Sequence, residues 1–189
     1  MNGRAAPSPW FVRHARWVRE AAALGPVVDL ACGRGRHALA AVSLGVRTVG
    51  VDRDRDALVT LLGEARRRGP PGVLTAVRAD LETALGFPLR PESCGAILVF
   101  RYLHRPLAPA LSSLLRPGGL LLYETFTKEQ RNLGHGPTNP AFLLASGELR
   151  ELFPGLEMLA YEEGLCPGER PEALARLAAR RSALGPPSA

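Results

Sequence analysis

The segment Val27–Asp52, VVDLACGRGRHALAAVSLGVRTVGVD, constrains the fold more than any other part of the chain. It opens on the apolar run Val27–Ala31, which suits a strand buried on both faces of a parallel sheet. Gly33 and Gly35 follow and allow a tight turn with close approach to a ligand. Residues 36–44 have helical composition, and Gly45 closes them. A second apolar run, Thr48–Val51, ends on Asp52. Strand, glycine turn, helix and strand together form a nucleotide-binding half-unit. In a doubly wound sheet, ligands sit beyond the carboxyl ends of the strands, where a helix start offers free N–H groups and a positive dipole end.

The rest of the chain extends this pattern. Residues 9–24 predict one amphipathic helix, with Trp10, Val12, Trp17, Val18, Ala21 and Leu24 on its apolar side and Gly25-Pro26 as its stop. Its tryptophans read as packing anchors, and His14 and His135 as surface residues. Asp54 is placed to cap a helix over residues 56–68, whose closing arginines complement the helix dipole. Further strands are predicted over 74–79, 96–100, 120–124 and 156–162, with helices over 106–115 and 147–153. His104 and Arg105 read as caps of the first of these, and Tyr123 as a core residue. Residues 127–146 read as a long glycine- and proline-bearing loop, a length usually tied to function or mobility. Residues 173–181, ALARLAARR, read as helix by propensity, although alternate residues also fit one face of a strand. The alternation points to an α/β fold with a mostly parallel sheet and helices on both faces, in a single domain over 1–189. Residues 1–25 are expected to pack on its core.

Composition narrows the setting. A hydrophobic fraction of 46% is that of a soluble globular protein, and no apolar run approaches the length of a membrane span. Cys32, Cys94 and Cys166 form no CxxC pair, so neither a disulfide framework nor a metal site is suggested, and a cytoplasmic setting is expected. The arginine-rich N-terminus shares its composition with mitochondrial presequences, but its helix runs straight into the first strand. The formal net charge is +6, carried almost wholly by arginine, with Lys128 the single lysine. That charge keeps RNA open as a partner, but the arginines are scattered and do not favour it. Nothing in the composition sets an oligomeric state.

The first three strands end on Asp29–Gly35, Asp52 and Asp80, which would converge on one crevice. Asp52 is placed to accept hydrogen bonds from two ribose hydroxyls, and Asp80 to sit near an adenine amine. Gly33-Arg34-Gly35-Arg36-His37-Ala38 also fits the G-x-G-x-x-A turn of dinucleotide-binding oxidoreductases, so an NAD-dependent enzyme competes. Three features tilt the balance away from it: Asp29 four residues before the first glycine, the second acid Asp80, and the Leu-Arg-Pro-Gly-Gly turn before the fifth strand.

DLACGRGRHALA, VGVD, the Ala79-Asp80-Leu81 step and LLRPGGLLLYETF resemble the motifs of class I S-adenosylmethionine-dependent methyltransferases, over roughly Val27–Glu163. The CG-x-GR turn and the later pattern from Phe142 to Gly164 resemble the small tellurite-resistance-like subgroup. The resemblance implies a Rossmann-like seven-stranded sheet of order 3-2-1-4-5-7-6 with the last strand antiparallel, which makes residues 173–181 a strand against their propensity. It implies S-adenosyl-L-methionine as cofactor. Asp29, Ala31, Gly33 and Gly35 would line its methionine part and Arg36 its carboxylate. Asp52 would hold the ribose, Arg53 would flank the adenine, Asp80 and Leu81 would fix it, and Phe100 would sit by the sulfonium. The sequence departs from the family pattern at Cys94-Gly95, where an acid is usual, and at His37 in place of a third glycine.

A sulfonium methyl is already activated, so transfer needs mainly a positioned nucleophile and no metal. Residues following the fourth and fifth strands would stand near the methyl: Arg101, Tyr102, His104, Tyr123, Glu124 and Phe126. Arg101 is a candidate to hold an anionic acceptor, and Tyr102 or Glu124 to act as general base. The sequence lacks an NPPY-type amino-methylating signature after the fourth strand. The expected acceptor is a small molecule covered by the loop over 127–147. The alternatives are an RNA methyltransferase, an NAD-dependent oxidoreductase and a non-catalytic cofactor-binding subunit.

Overall fold

A computed structural model of the chain describes residues 6–68, 73–83 and 88–183. The fold is organised around one seven-stranded sheet of order β3-β2-β1-β4-β5-β7-β6, as the resemblance implies. Its strands are β1 (Val27–Leu30), β2 (Thr48–Asp52), β3 (Leu74–Arg78), β4 (Cys94–Phe100), β5 (Leu115–Phe126), β6 (Leu156–Cys166) and β7 (Glu172–Arg181). β1 to β5 pair in parallel, and β7 runs antiparallel to both β5 and β6. The strand order reverses between β1 and β4, so the crevice for a ligand lies above their carboxyl ends.

The helices are α1 (Pro9–Arg13), α2 (Ala15–Ala21), α3 (Arg36–Ser43), α4 (Arg55–Arg68), α5 (Ala108–Leu114) and α6 (Glu148–Glu151). β4 shows why both sheet faces are covered. Every one of its residues is buried, with Ala96, Leu98 and Phe100 facing α1, α2 and α3 while Ile97 and Val99 face the opposite layer with α5. That is the period of two expected of a strand, and it accounts for an unbroken apolar run. The Asp54 carboxylate accepts from the N–H groups of Asp56 and Ala57 and caps α4.

Several elements differ from their sequence reading. The helix expected over 9–24 is broken at His14, where the backbone tightens so that the His14 N–H reaches both Trp10 and Phe11 carbonyls. The His14 ring packs at this break. It lies between the edge of Trp10 at 4.3 Å and the face of Trp17 at 4.5 Å. His14 is therefore buried, not a surface residue. The helix expected over 106–115 starts with a 3-10 turn at Arg105–Leu107 and becomes α-helical at Ala108. Neither His104 nor Arg105 caps it: His104 makes no capping hydrogen bond, and Arg105 reaches elsewhere. Residues 173–181 form a strand despite their helical composition, because Ala173, Ala175, Leu177 and Ala179 alternate into a site between β5 and β6 that is buried on both sides.

The Gly95 departure has a packing cause. A Cβ there would stand 2.2 Å from the Ala21 carbonyl and 2.5 Å from that of Gly25, so only glycine lets the end of α2 close on the start of β4. The segment 127–146 is not structureless either. Two 3-10 turns, Lys128–Leu133 and Pro140–Phe142, are held by buried Gln130, which bonds Ala173 and His135, and by fully buried Leu143 and Leu144. Among the described residues no helix is long and apolar enough to cross a membrane.

Candidate active site

A cleft of about 420 Å³ opens where the sheet topology places it. It is built from the ends of successive strands. Ala31 follows β1, Asp52 and Arg53 end β2, and Ala79 to Glu82 follow β3. Arg101 to Leu103 follow β4, Thr125 and Phe126 end β5, and Pro137 and Phe142 come from the 127–146 segment.

Backbone strain collects at this cleft. Ala31 has φ +50° and Arg101 has φ +61°, left-handed conformations that side-chain-bearing residues adopt at a cost. Each turns the chain sharply away from the carboxyl end of a central strand, so the sheet ends in an open floor. Gly33 at φ +52° and Gly35 at φ +75° continue the turn into α3, whose N-terminus points at the cleft. Asp52 is fixed across this turn. Its Oδ2 accepts from the Gly33 N–H at 2.6 Å and its Oδ1 from the Asp54 N–H at 2.9 Å. Each oxygen keeps a lone pair free, which suits a vicinal diol. Asp80 is ordered in the same way, accepting from the Glu82 N–H at 3.0 Å.

Asp29 sits beneath the turn, 2% exposed, and accepts from the Ala38 N–H at 2.8 Å. Burial lifts its carboxyl to about 7; the Ala38 N–H and Arg36 oppose the rise and Asp52 adds to it. Arg36, at the first position of α3, is itself lowered by burial and lies among Arg101, Glu124, Glu172 and Asp29. His37, where the family pattern offers a third glycine, is buried and stacked on Phe100 with ring centroids 3.7 Å apart. Burial, Arg36 and Arg101 push it down to about 3, so it is neutral at physiological pH.

Of the residues singled out from sequence, Ala31, Asp52, Arg53, Asp80, Leu81, Arg101 and Tyr102 line the cleft. Gly33 and Gly35 shape its turn, while Asp29 and Phe100 lie behind its wall. Arg101 is committed, because its guanidinium makes a two-pronged ion pair with Glu172 and lies 4.7 Å over the Phe126 ring. It is not free to hold an anionic acceptor. Glu124 is 1% exposed and bonded to Ser8 and Arg176, which takes it out of contact with an acceptor. The Tyr102 phenol is pushed up by burial and by Glu82 and Asp80, which disfavours the phenolate that a general base would need, and its buried hydroxyl has no hydrogen-bond partner among the described residues. Tyr123 is buried and donates to the Tyr102 carbonyl at 3.0 Å. Sequence reasoning missed Glu82, Leu103 and Thr125. Glu82 and Leu103 had a usable signal, each standing two residues beyond an assigned position at a strand end.

Known proteins share this arrangement. A methyltransferase domain model matches residues 27–119, from the start of β1 to the turn inside β5. A ribosomal protein L11 methyltransferase of Pseudomonas putida is 39% identical over 109 residues, 55% of this chain and 35% of that protein. The chain thus spans about a third of the length of that relative. Residues 27–119 match a methyltransferase domain, and the sheet has the strand order that the resemblance to class I S-adenosylmethionine-dependent methyltransferases implies. Solved structures share its fold. A methyltransferase from Mesorhizobium loti superposes with a TM-score of 0.64 at 21% identity, over 84% of this chain and 92% of that one. TehB from Haemophilus influenzae gives 0.66 at 19% identity, over 88% and 62%. The family's cofactor is S-adenosylmethionine, and the donor set fits it. The Asp52 oxygens would suit a ribose diol, Asp80 and Leu81 line the same cleft where an adenine would lie, and the buried Asp29 carboxyl would suit a cationic amino-acid tail.

Proposed function

We propose that this chain transfers the methyl group of S-adenosylmethionine to a small acceptor with an apolar body. The cleft carries the reading. Its volume of about 420 Å³ lies in the lower part of the range for a single ligand site, so little room remains beside an adenosyl cofactor. One end offers Asp52, Arg53 and Asp80. The other is walled by Tyr102, Leu103, Phe126 and the half-exposed Phe142.

The bound cofactor supplies a methyl on positive sulfur, open to in-line displacement. The chain's own residues supply position. Asp52 fixes the ribose and Asp80 with Leu81 the base. The aromatic wall aligns the acceptor and excludes water. With Glu124 held in the interior and Tyr102 protonated, Glu82 beside Tyr102 is the carboxylate of the cleft placed to receive a proton.

Calorimetry tests the reading. S-adenosylmethionine and its demethylated product bind at micromolar levels, NAD does not, and Asp52→Ala abolishes the binding. The reverse preference would sink the assignment. Incubation with methyl-labelled cofactor and a panel of small thiols, amines and phenols then identifies the acceptor.

A further inference from the structure

A cluster of buried polar groups lies outside the cleft, where the N-terminal segment meets the sheet. At its centre is Ser8, 4% exposed. Its N–H donates to His37 Nε2 at 3.1 Å, and its hydroxyl donates to Glu124 Oε2 at 2.6 Å. Its oxygen also accepts the Trp10 N–H at 3.1 Å, which caps α1. The Glu124 carboxylate accepts from Arg176 Nε at 2.9 Å and lies 3.9 Å from Arg101 Nε. One serine therefore joins α1, the α3 turn and the end of β5.

Packing alone does not call for this arrangement. A buried charge costs more in desolvation than a well-packed apolar group, so a carboxylate 1% exposed between two arginines is weak support for stability. What it does is fix position. Arg101 forms part of the cleft wall 3.9 Å from Glu124, and Arg36 opens α3 directly before His37, the residue that Ser8 bonds. Glu124 and Glu172 balance these cations on the side of the glycine turn, where the methyltransferase reading puts the amino-acid end of the cofactor.

We propose that Ser8 is a positioning residue for the cofactor: by bonding both His37 and Glu124 it fixes the first turn of α3, where Arg36 stands, and residues 8–21 thereby become part of the subsite for the cofactor's amino-acid tail. The inference rests on the methyltransferase reading above and goes beyond it by assigning a function to the N-terminal helices.

Two probes separate this role from a structural one. S-adenosylhomocysteine carries the amino-acid tail, and 5′-methylthioadenosine lacks it. Calorimetry on the full chain is expected to show Ser8→Ala weakening S-adenosylhomocysteine about tenfold while 5′-methylthioadenosine stays within about twofold. Ser8→Thr, which keeps the hydroxyl, restores the tail-dependent affinity. Equal weakening of both probes would make Ser8 a folding residue only, and no change in either would remove it from the site. Both outcomes overturn the inference while leaving the methyltransferase reading intact. A wild-type chain that binds neither probe overturns the reading and the inference together.

Discussion

Asp29 shows how a single residue links folding to ligand binding. Its carboxyl is raised from 3.8 to about 7, chiefly by burial. Between these values the folded chain holds a proton that the unfolded chain has released. Stability of the free protein therefore falls as pH rises through that window, and the full cost is present above it. Asp29→Asn keeps an oxygen for the Ala38 N–H and removes the charge. It is expected to stabilise the ligand-free chain by on the order of 2–4 kcal/mol at pH 8 and to do little at pH 4. It should also weaken the cofactor, whose ammonium loses its partner. Thermal unfolding at both pH values checks the first expectation, and a variant no more stable than wild type at pH 8 would refute the buried-charge account. At this scale the sequence was informative where a residue's position in the chain decides its surroundings. Asp52 and Asp80 end adjacent strands, so their place at the cleft followed from topology. Arg101 and Glu124 were misread because their partners, Glu172, Arg176 and Ser8, arrive from distant parts of the chain. Nothing local in FRYLH or LLYETF marks those side chains as already engaged.

Among the elements, the segment 127–146 connects architecture most directly to the acceptor. It is tied down by Arg105. The guanidinium pairs with Glu148 and donates to the carbonyls of Ala141 and Leu143 at 2.9 Å each. These bonds flank Phe142, which lines the cleft. Arg105→Ala strips both carbonyls and Glu148 of their donor. The acceptor KM is expected to rise about tenfold with cofactor affinity unchanged, and limited proteolysis should cut near Arg131 more readily. An equal loss of cofactor affinity would show that the segment supports the whole cleft and not the acceptor end alone. Periodicity could not reveal this tie, since Arg105 sits at the start of a helix and its natural reading is a cap. His14 is the opposite case: its partners Trp10 and Trp17 stand at helical spacings of four and three, so its burial was legible in the periodicity. β7 was read correctly only through resemblance. Its alanines and leucines favour helix in isolation, and burial between β5 and β6 overrides that preference.

For the whole molecule, the remaining question is what the positive charge serves. The chain carries a net +6, yet many arginines are engaged internally, including Arg13, Arg67, Arg101, Arg105, Arg176 and Arg181 with acidic partners. Exposed Arg34, Arg53, Arg55 and Arg78 lie on loops and elements around the β2–β3 side of the cleft. They alternate with the exposed carboxylates of Asp54, Asp56, Asp80 and Glu82, so this rim is mixed in charge and not the continuous basic stripe of a nucleic-acid site. The net charge of the chain attracts RNA by counterion release, and that attraction fades steeply with salt. A gel shift is expected at ~50 mM salt, with affinity falling at least a hundredfold by ~200 mM, and no methyl label should enter RNA at either concentration. Tight binding that survives the higher salt, together with label in RNA, would mean that specific contacts exist beyond the rim. The acceptor would then be polymeric, and the aromatic wall of Phe126 and Phe142 would have to receive an extruded base in place of a free small molecule.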